Sequence, residues 1–379
     1  MMKSAMLERD FWSGKRVFLT GHTGFMGSWL TLWLERLGAF VTGYSNGLAA
    51  NASMYRMCGL EAYVPWIRGD IRDTRQLVAA LQQAKPDLIF HLAGASTPAS
   101  LDEPAFAELF GVESVGTAAL LDAVRLVSGD VPVRAVVLVT ADDCYAAQPW
   151  AAGLRESDPL GGDTPAAAGK ACAELVAAAF RRAFFACGAE GPAMATARTG
   201  HLIGGGDFAA GRFVPDCVRA VAQGRALQLP AADRPGEAWP WLHVLEALAG
   251  CLALAQRLFP PGGDAFAEAW NFGPRAADAR TQAWLAEALC DGLGSHWAVP
   301  AAAEREAAGA GERGRGPSAA PLLDTAKAAV RLGWHARLDA RQAVMLVAEW
   351  YAAWMKGLSL REISAAQIAR YEGLLAERG

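Results

Sequence analysis

The chain has few of the features that mark secreted, metal-stapled or membrane-bound proteins. Its seven cysteines include no C-x-x-C pair, and their odd number argues against a disulfide framework or a zinc site. No apolar run reaches the roughly 18 residues of a membrane-spanning helix, and the N-terminal stretch MMKSAMLERDFWSGKR lacks the apolar segment of a signal peptide. A net charge of −4 offers no positive surplus for nucleic acid or an anionic membrane. We therefore expect a cytoplasmic protein without metal, nucleic acid or membrane partners.

What the chain does contain is an alternation of short β-branched runs and helical stretches. Its 379 residues are 53% hydrophobic and 20% charged, which suits a soluble globular protein of one composite domain or two tightly joined ones. The alternation predicts an α/β fold with a doubly wound parallel sheet. The predicted strands are residues 16–20, 40–44, 87–94, 135–140 and 194–200, and the predicted helices are residues 25–37, 74–84, 113–127 and 170–186.

The alternation of predicted strands and helices becomes less regular beyond about residue 200. Gly/Pro-rich turns such as GHLIGGGDF and PPGGD become frequent there, and the elements become shorter. We interpret residues 1–200 as a dinucleotide-binding domain and residues 201–379 as a smaller C-terminal α/β substrate lobe interleaved with it. Residues 301–320 are rich in alanine, glycine and arginine, and this composition predicts a mobile loop.

Three glycines follow the first predicted strand, in RVFLTGHTGFMGSWL. Glycine permits a tight turn and lets backbone N–H groups approach a pyrophosphate at the positive end of a helix. The G-x-x-G-x-x-G spacing between a strand and a helix therefore indicates a dinucleotide site, although the same glycines could serve a tight turn alone. The cofactor-binding residues predicted in this segment are Gly21, Thr23, Gly24, Phe25, Met26 and Gly27.

The ends of three later strands would complete the dinucleotide site. The second strand ends at Ser45 and Asn46, with no carboxylate for the adenosine ribose and no nearby arginine for a 2′-phosphate, so NAD is favoured over NADP. Asp70, after a further short strand that precedes residues 87–94, could accept a hydrogen bond from the adenine amino group or could cap a helix. The residues predicted to bind NAD at these strand ends are Ser45, Asp70, Ile71, Leu92, Ala93 and Gly94.

Several segments together resemble a known family. They are FWSGKRVFLTGHTGFMGSWLTLWLERLGAFVTGYS, GDIRD, ESDPLGG, IGGGDF, HVLE and WNFGP. In this order, from about residue 11 to residue 355, they resemble the extended short-chain dehydrogenase/reductases, and among these the CDP-glucose 4,6-dehydratases. The resemblance implies a Rossmann-like NAD domain, a C-terminal nucleotide-sugar lobe and a homodimer. It also implies a Tyr-x-x-x-Lys pair and a Ser/Thr that act on the sugar C4 hydroxyl, and an acidic residue with a companion that expel water across C5 and C6.

The proton relay that the resemblance implies is incomplete in this chain. Lys170 is present, but the tyrosine position four residues earlier is Ala166, and no other lysine has a tyrosine at that distance. A phenol with a pKa of about 10 needs a nearby lysine cation to act as a base at neutral pH. In TADDCY the serine position is Ala141 and the companion of the acid is Asp143, whereas Asp142 matches the family. The motifs that would bind the cofactor are therefore retained, whereas most of the residues that would carry out the acid–base chemistry are replaced.

Positions that would hold the substrate have changed as well. His201 stands for an asparagine of the family and Trp239 for an arginine, and each change removes a polar group that could grip a sugar or a pyrophosphate. His201 and His243 could meet in the cleft, but two histidines without carboxylate spacing make no metal site. The predicted substrate-binding residues are His201, Arg212, Trp239 and His243.

The roles of the remaining polar residues stay open between two interpretations. Lys170 could hydrogen-bond the nicotinamide ribose beside Thr140, a further predicted cofactor contact, or could be a solvated lysine near the start of a helix. Asp142 could be a general acid or could cap the next turn. The candidate catalytic residues are Asp142, Asp143, Lys170 and His201.

Two functions from different classes follow from these residues. The preferred hypothesis is a repurposed nucleotide-sugar lyase or isomerase whose base is Asp142, Asp143 or His201. The alternative is a catalytically silent NAD-binding partner or regulator. Ordinary CDP-glucose 4,6-dehydration would require another group to replace the tyrosine, because loss of a catalytic base costs ~10²–10⁴-fold in rate.

A homodimer is expected from the helix KACAELVAAAFRRAFFAC, which is apolar around much of its circumference. One apolar stripe would face the sheet and another a twofold mate, through helices 113–127 and 170–186. The alternative is that the C-terminal segment covers this helix. The residues expected in the two stripes are Leu175, Val176, Ala179, Phe180 and Phe184.

Overall fold

The protein is built around a seven-stranded sheet. The structure is a computed structural model that describes residues 7–48, 53–94, 106–147, 153–185, 191–225, 238–294 and 322–377. The mobile loop predicted at residues 301–320 lies outside the described residues. The strands are β1 (Arg16–Thr20), β2 (Phe40–Ser45), β3 (Trp66–Arg68), β4 (Leu88–His91), β5 (Ala135–Ala141), β6 (Ala193–Thr199), β7 (His201–Ile203), β8 (Trp241–His243) and β9 (Ala269–Phe272).

The strand order is that of a doubly wound sheet. It runs β3-β2-β1-β4-β5-β6-β9, and every neighbouring pair is parallel. The order reverses between β1 and β4, the place where such sheets bind ligands. β7 and β8 pair in a separate parallel sheet, and β9, from the C-terminal half of the chain, completes the edge of the main one. The predicted α/β class, Rossmann-like with a smaller C-terminal lobe, is confirmed.

Helices cover both faces of the main sheet. Among the described residues, none of them combines the length and the apolar character that crossing a membrane requires. The described helices are α1 (Arg9–Trp12), α2 (Phe25–Arg36), α3 (Met54–Met57), α4 (Thr74–Ala84), α5 (Phe106–Phe110), α6 (Gly116–Leu126), α7 (Pro165–Phe184), α8 (Phe213–Ala222), α9 (Val244–Leu258), α10 (Gln282–Gly292), α11 (Ala340–Met355) and α12 (Leu360–Ala376).

Successive residues of the central strands pack into two cores on opposite faces of the sheet. Phe18 of β1 and Ile89 of β4 join the core under α4, α6 and α7. Val17, Leu19 and Phe90 join the other core, under α2 and α9. Alternate side chains of a strand point to opposite faces, so a strand that is buried on both faces is apolar throughout. This burial explains why β1, β4 and β5 read as continuous apolar runs.

The helix predicted at residues 170–186 begins earlier than expected, at Pro165. Its N-cap is Thr164, whose Oγ1 accepts a hydrogen bond from the backbone N–H of Ala167 at 3.2 Å. Proline suits the first helical position because the N–H that it lacks would have no partner there. The early start places Ala166 inside the first turn of α7.

The helix predicted at residues 113–127 is α6, and a π-helical turn at Gly111–Val115 joins it to α5. This turn carries Glu113, which is buried with 4% of its surface exposed. Thr117 Oγ1 donates a hydrogen bond to the Glu113 carbonyl at 2.5 Å. The wider turn thus holds an ionisable side chain in a buried position, which a regular amphipathic pattern does not predict.

A buried carboxylate, Glu246 of α9, ties the C-terminal helices to the core. It accepts hydrogen bonds from the Tyr371 hydroxyl and from the backbone N–H groups of Arg337 and Leu338. Burial raises the pKa of Glu246 to about 7, and the hydrogen bonds oppose this only in part. The carboxyl group therefore titrates near neutral pH in the folded protein.

The substitution Glu246→Gln is expected to change how stability depends on pH. The pKa of Glu246 in the fold exceeds its ordinary value of 4.5, so the carboxyl group stabilises the fold fully below that pH. This contribution is lost as the pH rises through about 7. Urea unfolding should show the wild-type free energy falling between about pH 5 and about pH 8 by ~3 kcal/mol more than that of the variant. Parallel profiles would contradict this, and exposed Glu287→Gln is the control.

Candidate active site

The predicted glycine turn lies between β1 and α2, where the strand order reverses. Gly21 has a φ of +71°, and a Cβ on it would lie 2.7 Å from backbone atoms of Leu92 and Ala93. A Cβ on Gly27 would lie 2.3 Å from the carbonyl oxygen of Gly21. Both glycines are required because backbone segments pack directly against them.

Gly24 leaves the N-terminus of α2 open. It is the N-cap residue, so α2 has no capping side chain, and the described first turn carries no acidic residue. A Cβ on Gly24 would meet only the Gly21 carbonyl oxygen, at 3.3 Å. The N–H groups of Phe25, Met26 and Gly27 are therefore left for a ligand, and together with the helix dipole they suit a pyrophosphate. These donors fit NAD.

Two hydroxyl groups shape the end of the site at β2. Thr23 Oγ1 donates a hydrogen bond to the Gly47 carbonyl at 3.0 Å, and Ser45 Oγ donates to the same carbonyl at 3.3 Å. The two side chains thus fix the turn after β2. The Ser45 oxygen can still accept a hydrogen bond from a ribose hydroxyl. The role of Ser45 in NAD binding stays a prediction.

The carboxylate of Asp70 is held by an arginine. Arg72 donates to it from its backbone N–H at 2.9 Å and from Nη2 at 2.6 Å. These hydrogen bonds hold the pKa of Asp70 below its ordinary value. The helix cap considered for Asp70 is instead Asp73, whose carboxylate accepts from the first N–H groups of α4. Ile71, a predicted contact of the cofactor, is buried against Gly116.

Lys170 forms an ion pair that was not predicted from the sequence. Its Nζ lies 2.7 Å from Oε2 of Glu113, whose side chain is 6% exposed. A Cβ on Gly94 would lie 2.8 Å from Glu113 Oε1 and 3.1 Å from Lys170 Nζ, so the absence of a side chain at Gly94 makes room for the pair. Ala166 lies one turn before Lys170 on α7 and offers only a methyl group.

Asp142 and His201 meet at the edge of the sheet where the parallel strands end. Asp142 follows β5 and His201 begins β7, and Asp142 Oδ2 lies 3.1 Å from His201 Nδ1. Burial disfavours the imidazolium form, but the Asp142 carboxylate outweighs burial and raises the pKa of His201 above its ordinary value. The Asp142 charge therefore favours the protonated form of His201, and both residues were predicted from the sequence.

Asp143 lies beside this pair. The side chain of Asp143 reaches solvent in the cleft, although surrounding protein atoms desolvate part of it. This desolvation and the negative charge of Asp142 raise the pKa of Asp143 to about 6. The charges of Lys170 and His201 oppose the shift. The other three predicted catalytic residues thus all lie within electrostatic reach of Asp143. No group of three or more His, Cys, Asp or Glu side chains suited to a metal occurs among the described residues.

Aromatic side chains surround His201. Its ring centroid lies 5.1 Å from that of Trp239 and 6.1 Å from that of Trp241, and the two tryptophans stack at 6.0 Å. Arg212, with 58% of its side chain exposed, forms an ion pair with Asp207 at 3.1 Å. The positive charge of Arg212 lowers the pKa of His201, because it disfavours the imidazolium form. Of the predicted substrate residues, Trp239 therefore contacts His201, whereas Arg212 acts on it through its charge.

His243 does not meet His201. It is 1% exposed, and its Nδ1 accepts the backbone N–H of Leu245 at 3.3 Å, which caps α9. In the β7–β8 pair His243 lies opposite Ile203, whereas Trp241 lies opposite His201. Burial lowers the pKa of His243 to about 3, so the ring is neutral. Its substrate-binding role stays a prediction.

The side chain of Thr140, a predicted cofactor contact, is engaged elsewhere. Its Oγ1 donates to Glu174 Oε1 at 2.5 Å, and Glu174 Oε2 pairs with Arg198 at 2.8 Å. The hydroxyl proton of Thr140 is therefore not available to a ligand. This buried network joins α7 to β5 and β6 beneath the cleft.

Glu113 is the functional candidate that sequence reasoning missed. Its partner Lys170 lies far along the chain, so no local spacing connects them. One signal was present, because Glu113 stands among the largely apolar residues of FGVESVG, which lead into α6. Lys and Glu side chains are rarely buried unless they are paired, so a buried-face glutamate indicates a cationic partner.

The open N-terminus of α2 can be tested with an isosteric pair of variants. Gly24→Asp and Gly24→Asn both add a side chain that can cap α2, so neither should lower the melting temperature. Gly24→Asp also adds a negative charge where the pyrophosphate would bind, and we expect it to bind NAD at least ~10-fold more weakly than Gly24→Asn. Calorimetric titration measures both affinities. Equal NAD affinities in the two variants would contradict the assignment.

Comparison with known proteins identifies relatives along nearly the whole chain. The model of the NAD dependent epimerase/dehydratase family matches residues 17–266. A CDP-glucose 4,6-dehydratase from Salmonella typhimurium is 37% identical over 370 residues, which cover 97% of this chain and 98% of that protein. A dTDP-glucose 4,6-dehydratase from Xanthomonas campestris pv. campestris is 24% identical over 356 residues, which cover 90% and 95%.

Solved structures share the fold at lower sequence identity. An epimerase from Methanothermobacter thermautotrophicus has a TM-score of 0.72 and 20% identity, over 93% of this chain and 97% of that one. A dTDP-glucose 4,6-dehydratase from Streptomyces venezuelae, crystallised with NAD, has a TM-score of 0.70 and 22% identity, over 90% and 98%.

The family predicted from the ordered motifs is thereby confirmed, and NAD as the cofactor is confirmed through the family, which is NAD dependent. The open N-terminus of α2 agrees with this cofactor. The chain belongs to the NAD dependent epimerase/dehydratase family.

Proposed function

We propose that the protein is an NAD-using enzyme that acts on a nucleotide sugar, as a lyase or isomerase with a rebuilt acid–base site. The observation that carries the proposal is the contact of Asp142 with His201 at 3.1 Å beside Lys170 and Asp143. Identity of 37% with a CDP-glucose 4,6-dehydratase supports a nucleotide sugar as the substrate. We assign the cofactor to residues 1–200 and the sugar to residues 201–379.

The proton transfers in this proposal are carried by the side chains at the ends of β5 and β6. His201 Nδ1 faces Asp142, which leaves Nε2 as the atom that takes or gives a proton. Asp143, with a pKa of about 6, changes protonation state close to neutral pH, as an efficient acid–base group requires. These groups take the place of the phenol that Ala166 cannot supply.

Lys170 has a positioning task in this scheme. NAD, when bound, supplies a hydride acceptor at the sugar. Lys170 would hold the nicotinamide ribose hydroxyls, and the buried Glu113 fixes its ammonium group at 2.7 Å. The contact with Glu113 keeps the Lys170 ammonium group in place. This contact does not depend on a tyrosine at the position of Ala166.

The Asp142–His201 pair can be tested without a known substrate. Asp142 is the main charge that raises the pKa of His201 against burial. In Asp142→Asn, only the charge of Asp143 still opposes the effect of desolvation on the His201 ring. The pKa of His201 should therefore fall below its ordinary value. NMR titration of the histidine ring measures it, with Asp143→Asn as the control that gives the smaller shift. A His201 pKa that is the same in wild type and Asp142→Asn would refute the pairing.

A second candidate function is a catalytically silent NAD-binding partner or regulator. Ala166 and Ala141 both lack the hydroxyl groups that the resemblance implies at these positions, and this observation favours the silent protein. Ordinary 4,6-dehydration of CDP-glucose would need the same two hydroxyl groups, which this chain lacks. The unmodified chain is therefore expected to show negligible 4,6-dehydration.

Restoring the relay tests whether the active site was dismantled at these positions. We expect the triple variant Ala166→Tyr, Ala141→Ser and Asp143→Lys to form a trace of 4-keto-6-deoxy sugar from CDP-glucose where the wild type forms none. The reason is that a phenol one turn before Lys170 regains an adjacent cation. The absorbance of the 4-keto sugar in alkali, with added NAD, measures the product. Robust turnover by the unmodified chain would mean that another group supplies the base.

We further propose a homodimer through α6 and α7. Leu175 is 59% exposed and Phe184 is 46% exposed, although both are large apolar side chains. The last described helix of the C-terminal segment, α12, packs against α2 instead, where its Glu372 accepts the indole N–H of Trp33. Among the described residues, Leu126 of α6 and Leu175 of α7 are each more than half exposed, and apolar exposure on two adjacent helices favours a twofold mate.

The substitution Leu175→Glu is expected to convert the dimer to a monomer. A carboxylate in the centre of an apolar interface would be desolvated without a partner. Val330→Glu is the matched control, because Val330 is 77% exposed and lies outside α6 and α7. Sedimentation at micromolar concentration distinguishes the two states. A wild type that sediments as a monomer would contradict the dimer.

A further inference from the structure

The positive charge of Lys170 has a counter-charge within the protein. Its Nζ lies 2.7 Å from Oε2 of Glu113, and the Glu113 side chain is 6% exposed whereas that of Lys170 is 24% exposed. The carboxylate therefore approaches the ammonium group from the buried side. An ammonium group has three N–H donors, so two remain for other acceptors after the contact with Glu113.

Glu113 is held in place where it meets Lys170. A Cβ on Gly169 would lie 3.4 Å from Cβ and Cγ of Glu113, so the π-helical turn packs directly on α7 at this point. The Glu113 carbonyl accepts a hydrogen bond from Thr117 Oγ1 at 2.5 Å, and the same hydroxyl lies 3.2 Å from His91 Nε2. Backbone and side chain are both fixed by these contacts, so the ion pair is built into the fold.

A side chain at position 166 would lie beside this ion pair. Ala166 and Lys170 are four residues apart on α7 and both are partly exposed, whereas Ala167 and Gly169 between them are buried. Residues four apart lie on the same face of a helix, with Cβ atoms ~5–6 Å apart. The Glu113 carboxylate is 2.7 Å from the Lys170 ammonium group, so both charges would act on a side chain placed there.

An isolated lysine and a paired lysine have different effects on a neighbouring acid. A cation within ~4–6 Å lowers the pKa of a phenol or carboxyl group by ~1–3 units. Coulomb energy falls only as the inverse of distance, so a carboxylate 2.7 Å from the cation cancels most of this effect on a group farther away. Lys170 and Glu113 together therefore act on position 166 as a dipole and not as a positive charge.

Neighbouring titratable groups leave this compensation in place. Burial, with the Lys170 charge, lowers the pKa of His91 to about 3, so the His91 ring is neutral. Desolvation and the Asp142 charge raise the pKa of Asp143 to about 6, so Asp143 adds negative charge above that pH. His201 Nδ1 lies 3.1 Å from the Asp142 carboxylate, which opposes the charge of the imidazolium form.

We propose that Glu113 determines the task of Lys170: it compensates the lysine charge, so that Lys170 donates hydrogen bonds to ligand hydroxyl groups but does not activate a general base. The inference deepens the proposed function, on which it rests for the placement of Lys170 in the cleft. It means that the proton relay is switched off at two positions, Ala166 and Glu113. In the triple variant, Asp143→Lys removes a carboxylate and adds a second cation, so a trace of product is expected there even with Glu113 in place.

The test measures the pKa of a phenol introduced at position 166, in the full chain without NAD or sugar. Ala166→Tyr is compared with the double variant Ala166→Tyr and Glu113→Gln, by NMR titration of tyrosine labelled with ¹³C at Cζ. The new resonance is the one that the wild type lacks. We expect a phenol pKa no lower than its ordinary value of about 10 in Ala166→Tyr, and a value at least ~1 unit lower in the double variant.

Glu108→Gln, in place of Glu113→Gln, is the matched control. Glu108 is an exposed acid of α5 that lies 3.8 Å from Arg72, so its removal should leave the pKa of the new phenol unchanged. An ion pair with a purely structural role would change the melting temperature in Glu113→Gln but would leave the phenol pKa as it is in Ala166→Tyr. The phenol pKa therefore distinguishes charge compensation from a contribution to stability.

Three results would overturn the proposal. The first is a phenol pKa that is equal with and without Glu113. The second is a phenol pKa ~1 unit or more below 10 in Ala166→Tyr itself, a result that does not require Glu113→Gln to fold. The third is a larger decrease with Asp143→Asn than with Glu113→Gln, which would make Asp143 the compensating group. Each of these results leaves the acid–base roles of Asp142 and His201 untouched, because the titration needs no turnover.

Discussion

The buried ion pair of Glu174 and Arg198 holds the functional half of the structure together. Glu174 projects from α7 and Arg198 from β6, and the carboxylate also accepts hydrogen bonds from Thr140 of β5 and Thr196 of β6. Removing one partner of such a buried pair costs ~3–5 kcal/mol, because the other charge is then left without compensation. The pair therefore fixes α7 on the two strands whose ends carry the polar residues of the cleft. Lys170, one turn earlier on α7, takes its position from this attachment.

The two halves of the cleft rest on different physical constraints. On the cofactor side the constraint is backbone packing, since any side chain on Gly21 or Gly27 would overlap backbone atoms. On the chemical side no packing constraint forces a tyrosine or a serine, and the charges there pair among themselves. Asp142 pairs with His201, and Lys170 pairs with Glu113. A site of this kind can exchange its acid–base groups while the cofactor turn stays fixed.

The fold was predictable from the sequence because parallel strands buried on both faces are recognisable as apolar runs bounded by glycine turns. The start of α7 was missed, although Thr164 and Pro165 form a recognisable cap signal. Within the site, Asp142 and His201 were predicted from their places in TADDCY and GHLIGGGDF, two segments that resemble motifs of the family. Glu113 was missed because its contact with Lys170 joins distant parts of the chain, and no spacing rule covers such a pair.

The central claim is that a family member with an intact NAD turn still serves a nucleotide sugar, although its acid–base groups have changed. The most direct measurement is mass spectrometry of the small molecules released when the purified full-length protein is denatured. The account predicts that NAD and a nucleotide sugar are released together, because the open end of α2 and the cleft around His201 are both retained. Release of neither NAD nor any nucleotide would contradict it.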